Sequence, residues 1–310
     1  IAVQGNLVRE FSVPVLIDPS SPNGMTAIGY STVYPGAYGQ YVLMSGPMLL
    51  RVPDGLADTT AATTEPCAVG LHAVRQAEMK PGESAIVMGA GPIGLMTLIW
   101  LKKEGVAHVT VSDYAPTRRD LAAKLGADLV VDPAKDDLAA VHLAATGAAA
   151  PAVFECVGVE GTLHQAMQLV ERGGRVIVVG VCMKEDRIYP MVGINKQLTL
   201  RFVLGYTPVE YAEALAALGD RSVDTSLMVT RTVSLDELPA AFEALADPHD
   251  CKVVLVPCAA RYRYRSSAVR SSGRCANTRS GTWAASSFNS SRSRWIHAAC
   301  TPAPCAPPIS

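Results

Sequence analysis

None of the eight cysteines, at positions 67, 156, 182, 251, 258, 275, 300 and 305, form a C-x-x-C pair, and they make no regular ladder. With 310 residues, 49% of them hydrophobic and 18% charged, the chain is long enough to bury a core without a disulfide framework, so a reducing, cytoplasmic setting is expected. No uninterrupted apolar run has the length of a membrane span. The uncharged stretch from Ser84 to Leu101 is broken near its middle by three glycines and Pro92, and reads as strand, turn and helix. No charged leader with an apolar core opens the chain, which starts at Ile1 and reads as cut. Asp, Glu and Lys are all missing from residues 259–310, which carry eight arginines. The formal net charge of -1 therefore hides an acidic body, residues 1–258 at -9, and a basic tail. That tail is Ser, Arg, Ala and Pro without lasting periodicity, so it is expected to be disordered and unrelated to the body. Arg261-Tyr262-Arg263-Tyr264-Arg265 interleaves aromatics with charge, but no nucleic-acid-binding motif follows it.

Between residues 84 and 181 short aliphatic runs alternate with segments of helical period, the pattern of a parallel sheet wound with helices. Strands are expected at Ala85 to Met88, His108 to Ser112, Asp128 to Val131, Ala152 to Glu155 and Arg175 to Val179. Helices are expected near 92–103, 116–125, 136–145 and 160–171. Upstream, Ser12 to Ile17, Gly39 to Met44 and Leu49 to Val52 read as short strands. Downstream come a strand at Leu198 to Val203, a helix near 208–218, an element at Ser234 to Ala246 opened by a Ser234/Glu237 capping box, and a last strand at Lys252 to Val256.

The chemistry centres on Gly89-Ala90-Gly91-Pro92-Ile93-Gly94, between the first of these strands and an apolar helix. In that context Gly89 makes the tight turn, Gly91 lets backbone approach a pyrophosphate, and Gly94 lets helix pack on strand. Free N–H groups and the positive end of the helix dipole then face the phosphates. Asp113 ends the second strand, nineteen residues after Gly94, where a carboxylate can accept from both ribose hydroxyls of NAD and repel a 2'-phosphate. Arg118 and Arg119 lie close enough in sequence to keep NADP open.

These features, with Gly36-Ala37-Tyr38-Gly39-Gln40-Tyr41-Val42, Val52-Pro53-Asp54-Gly55-Leu56, Glu65-Pro66-Cys67-Ala68-Val69-Gly70-Leu71-His72, Phe154-Glu155-Cys156-Val157-Gly158 and Gly173-Gly174-Arg175-Val176, give a chain that resembles the medium-chain dehydrogenase/reductase family, especially its zinc-type alcohol and polyol dehydrogenases. The resemblance runs from about Pro35 to Pro257. It implies an α/β chain, with a Rossmann doubly wound parallel sheet inserted in a partial β-rich GroES-like catalytic domain. The expected divisions are 1–65 and 205–258 for the catalytic part, 66–204 for the NAD-binding domain and 259–310 for the tail.

By the same resemblance, Val157 and Gly158, Val179, Gly180 and Val181, and Phe202 to Leu204 line the nicotinamide side of the cofactor, largely through backbone atoms. Cys156 stands near them as a small hydrophobe with no base to activate it. Glu65 takes the place of the third protein group at the family's catalytic zinc, where zinc would lower the pKa of the alcohol before hydride leaves for NAD. A Glu before Pro is equally a common helix-start residue. The family's other zinc groups, including a Gly-His-Glu segment, are absent from these residues, and the four-cysteine structural zinc lobe is absent too. His72, His108, His142 and His164 read as structural. The expected partners are a small alcohol or ketone and a second copy of the chain, paired through the strand at Leu198 to Val203; neither membrane nor nucleic acid is expected. Two alternatives stand beside this reading: an NAD-binding chain without turnover, and a zinc-independent NADPH quinone reductase-like enzyme.

Overall fold

The computed structural model describes residues 10–12, 15–17, 25–27, 38, 44–45, 49–245, 248–256 and 295–296. They fall into two compact units, one holding the described residues up to Arg51 together with 295–296, the other spanning Val52–Val256.

In the first unit β1 (Glu10–Ser12) pairs antiparallel with β5 (Leu49–Arg51), and β2 (Val15–Ile17) pairs antiparallel with β3 (Met25–Ala27). The stretch expected as one strand at Ser12 to Ile17 contributes to two strands with different partners, and residues 13–14 lie outside the described residues. β4 (Met44–Ser45) pairs antiparallel with Trp295–Ile296, which is β14. Of the strand expected at Gly39 to Met44 only Met44 is described. The disorder expected for the tail lies outside the described residues, apart from that two-residue strand.

The second unit opens with α1 (Asp58–Ala61) and α2 (Thr64–Ala77). It continues through β6 (Ser84–Met88), α3 (Pro92–Lys103), β7 (His108–Ser112), α4 (Pro116–Lys124), β8 (Leu129–Val131), α5 (Leu138–Thr146), β9 (Ala150–Glu155), α6 (Thr162–Leu169), β10 (Val170–Val178), α7 (Pro190–Lys196) and β11 (Thr199–Phe202). The strands form one six-stranded sheet in the order β11-β10-β9-β6-β7-β8, parallel throughout. The chain starts at β6, winds outward through β7 and β8, then returns to β9 on the other side. This is the doubly wound Rossmann arrangement expected from the sequence, and the strand order reverses between β6 and β9. β6 and β7 need their Val and Ile content because both faces are covered: Ile86, Val87, Val109 and Val111 are all buried.

The core between α2 and α3 is equally close. A Cβ on Gly70 would lie 2.7 Å from the backbone of Met96, and the Trp100 indole donates to the Cys67 carbonyl at 2.9 Å. α8 (Pro208–Gly219), β12 (Val229–Val233), α9 (Leu238–Ala244) and β13 (Lys252–Leu255) complete the unit, with β12 and β13 parallel.

Four local expectations need correction. α7 lies where no element was expected; it is seven residues long and buries none of them, so it leaves no apolar period to read. β10 begins at Val170 and not Arg175, with an irregularity in its pairing before Arg175. β12, not expected from the sequence, alternates exposed and half-buried residues. The last helix starts at Leu238, not Ser234. Both the N–H and the hydroxyl of Ser234 donate to Glu237, so only half of the expected box exists. The complete capping box is at α8, where Thr207 accepts from the Glu210 N–H and Glu210 accepts from the Thr207 N–H.

His142 illustrates how polar groups are kept inside this core. Only 1% exposed, it bonds Ser84 Oγ at 3.1 Å and Thr110 Oγ1 at 2.8 Å, beside the ring of His108. Burial, then the neighbouring His108 charge, pulls its pKa down to about 4. A folded pKa below the unfolded value means the unfolded chain takes up the proton first as pH falls. The His142 contribution is therefore complete above about pH 6.5, declines by up to about 1.4 kcal/mol per pH unit below it, and levels off near pH 4. Urea unfolding between pH 7 and 5 is expected to show this slope in the wild type and a shallower one in His142→Gln; equal slopes would mean that another group carries the pH dependence.

Candidate cofactor site

The corner after β6 is built from backbone. Gly89, with φ of +89°, turns the chain and its N–H donates to the Ser112 carbonyl of β7 at 2.8 Å. A Cβ on Gly94 would fall 1.9 Å from the Gly89 carbonyl oxygen, so α3 can start this close to the corner only with glycine there. Gly91 is different: it is extended, caps α3 without a side chain, and a Cβ on it would meet nothing within 4 Å. Pro92 at the first helical position has no N–H to lose, and Ile93 follows it half-buried. The outcome is an open approach to the N-terminus of a twelve-residue helix, which suits an anion.

Asp113 stands beside this opening. Its Oδ2 accepts from the Ala90 N–H and its Oδ1 from the Ala115 N–H, each at 2.8 Å. Arg118 lies 3.8 Å from the same carboxylate. Arg119 is spent on structure, donating to the carbonyls of Asp113 and Tyr114 and pairing with Asp132.

On the other side of the strand reversal, the ends of β9 and β10 meet through two glycines. Gly158 has φ of +71°, and a Cβ on Gly180 would lie 2.3 Å from the Gly158 nitrogen. Glu155, 2% exposed, ties them together: Oε1 accepts from the N–H groups of Val157 and Gly158 at 2.8 Å, while its carbonyl accepts from Val179 and Gly180. The sequence places Glu155 in a recognisable block but assigns it no role; an acid ending an otherwise apolar strand is the signal that marks it. Cys156 bonds the Met88 carbonyl through its N–H, and burial, with the charge of Glu155, pushes its thiol up to about 12. It is no nucleophile at neutral pH. Val157, Val181, Phe202 and Leu204 are exposed along the carboxyl ends of β9, β10 and β11, and Val179 is buried. All the residues expected for the cofactor thus lie at that end of the sheet, where open α/β folds bind ligands.

Glu65 sits half-buried in the first turn of α2. Two phenols that sequence reasoning did not single out feel its charge: Tyr206 and Tyr211, whose pKa values are raised by burial and then by Glu65. Their rings are 5.2 Å apart, and among the described residues their hydroxyls have no hydrogen-bond partner. Among the described residues no three His, Cys, Asp or Glu side chains converge. A zinc centre takes three or four such donors, so Glu65 alone does not fit one. His72 bonds Glu210 at 3.0 Å, His164 bonds Gln168 and the Tyr189 N–H, His108 bonds Thr110 and His142 is held as above, so each of the four has a partner within the fold. His297 lies outside the described residues.

The family model described as zinc-binding dehydrogenase matches residues 92–220. (R,R)-butanediol dehydrogenase of Bacillus subtilis (strain 168) is 33% identical over 204 residues, which cover 66% of this chain and 58% of that protein. The chain therefore spans less than two thirds of that relative's length. The crystal structure of 2R,3R-butanediol dehydrogenase from Bacillus subtilis superposes with a TM-score of 0.71 at 29% identity, covering 80% of this chain and 74% of that one. A zinc-binding dehydrogenase structure from Sinorhizobium meliloti 1021, described as bound to NADP, gives a TM-score of 0.71 at 26% identity, covering 81% and 77%.

Proposed function

Because the chain belongs to the zinc-binding dehydrogenases of the medium-chain dehydrogenase/reductase family, we propose that it serves NAD-dependent hydride transfer between a secondary alcohol or polyol and its ketone. The observation that carries this reading is the open Gly91 approach to α3 with the Asp113 carboxylate bonded to its rim. In this reading residues 66–204 hold the dinucleotide, 1–65 and 205–258 belong to the catalytic part, and 259–310 stand outside both.

In this reading the chain's own residues contribute as follows. N–H groups at the start of α3 take the pyrophosphate, between Gly89, Gly91 and Gly94. Asp113 keeps lone pairs for the ribose hydroxyls beyond those used by Ala90 and Ala115. Val157, Gly158, Val179, Gly180, Val181, Phe202 and Leu204 line the nicotinamide face and exclude water there. When bound, NAD supplies the hydride acceptor.

Asp113 also favours NAD over NADP, since a 2'-phosphate would face its charge, with Arg118, 3.8 Å from the carboxylate, placed to offset that. Asp113→Ala is expected to weaken NAD by about tenfold or more, the loss of a charge-assisted hydrogen bond, and to leave NADP less affected. Calorimetric titration of both nucleotides checks this; equal losses would show that Asp113 does not read the ribose.

A second reading, NAD binding without turnover, is favoured by the single donor at Glu65. NAD binding together with alcohol-dependent NADH formation in the presence of zinc supports the first reading. Binding without NADH supports the second. Among the described residues no helix is long and apolar enough to cross a membrane; a cytoplasmic setting and pairing of two copies along the free edge of β11 remain parts of this proposal.

A further inference from the structure

Toward the amino-terminal ends of β9 and β10, away from the glycine corner, the unit has a cavity of about 400 Å3 that no part of the proposed reaction uses. It is within the usual range for small-molecule pockets. Ile86, Leu143 and Val170 give it an apolar body. Ala139, Ala140 and Ala150 form part of the remaining wall, with His142 and Gln168 as its polar members. Ala139, Ala140, Leu143 and Ala149 are exposed, so the cavity opens to solvent.

The charge is on the rim. Arg172 is exposed and, among the described residues, has neither an ion pair nor a hydrogen bond. Lys196 also lines the cavity and directs its ammonium at three carbonyls, those of Met167 at 3.2 Å, Gln168 at 2.5 Å and Val170 at 2.7 Å, so its charge faces no carboxylate. Glu171 is the only acid lining the cavity, against these two cations.

An apolar body beneath a net positive rim is complementary to one ligand class. We propose that this cavity binds a small amphipathic monocarboxylate, its hydrocarbon against Ile86, Leu143 and Val170 and its carboxylate on Arg172. Arg172 presents the planar fork that matches a carboxylate, and Lys196 adds field without a free donor. A phosphate or dianion gains little here, because only one cation has donors left and the walls are largely apolar.

The test is calorimetric titration of the full chain with octanoate, 1-octanol and octylammonium, each kept below its aggregation threshold. Octanoate is expected to bind at one site, about tenfold or more tighter than octylammonium, and to keep binding when NAD is saturating. Arg172→Glu, at an exposed position, is expected to weaken octanoate by about tenfold and to leave 1-octanol unchanged. Ala140→Leu, a good helix former that fills the wall, is expected to abolish binding of both while circular dichroism shows an unaltered fold. The proposal is overturned by no octanoate binding, by equal affinity for the three probes, by displacement of octanoate with NAD, or by indifference to both substitutions in folded protein.

Discussion

Gly94→Ala is expected to damage folding and dinucleotide binding together, whereas Gly91→Ala damages binding alone. At Gly94 the new methyl would sit 1.9 Å from the carbonyl oxygen of Gly89 and 3.0 Å from its carbon, and both obstacles are backbone. No rotamer relieves that contact, so α3 must back away from the corner. Overpacking of this kind costs about 1–3 kcal/mol, and the displaced helix no longer aims its N–H groups at the phosphate position. At Gly91 the methyl meets nothing within 4 Å and the backbone is extended, so the fold has no reason to object. The same open space is where a pyrophosphate would approach. Urea unfolding should therefore show a lowered midpoint for Gly94→Ala and an unchanged one for Gly91→Ala, while calorimetry shows NAD affinity reduced by about tenfold or more in both. Wild-type NAD affinity in Gly91→Ala would mean that the phosphates do not lie there.

That contrast also shows what could be read from the sequence and what could not. The glycine turn was legible because its three glycines, the preceding strand and the following helix are contiguous, and Gly89 and Gly94 each meet a local constraint that only glycine satisfies. The parallel strands were legible for a similar reason: burial on both faces writes itself as runs such as Ser84–Met88 and His108–Ser112. Non-local decisions left weaker marks. α7 buries nothing and β12 is half-exposed, so neither carries a hydrophobic period. The Ser234/Glu237 spacing fits the capping box, yet the helix starts later because Leu238 is followed by Pro239 at a favoured early helical position. Tyr206 and Tyr211 escaped notice because their relation to Glu65 joins parts of the chain more than a hundred residues apart.

Glu155 is the strongest case of a residue quoted for its motif and understood only in three dimensions. Its carboxylate is nearly inaccessible and holds the N–H groups of Val157 and Gly158, while its own carbonyl holds those of Val179 and Gly180. One residue thus binds the two loops proposed to face nicotinamide. Glu155→Ala leaves two part-buried donors without their acceptor, at up to about 1–3 kcal/mol each, partly offset by no longer burying a carboxylate. A net loss of about 2–4 kcal/mol is expected from urea unfolding. Glu155→Gln retains a carbonyl oxygen in reach of the same donors and should lose clearly less. Any folded Glu155→Ala protein is expected to bind NAD more weakly than Glu155→Gln does, because the side chain anchors the Val157–Gly158 loop, while Val179 and Gly180 stay on the backbone carbonyl that alanine keeps. If Ala and Gln proved equally stable and equally able to bind NAD, the loops would be held by their glycine packing, and the carboxylate would be incidental to the site.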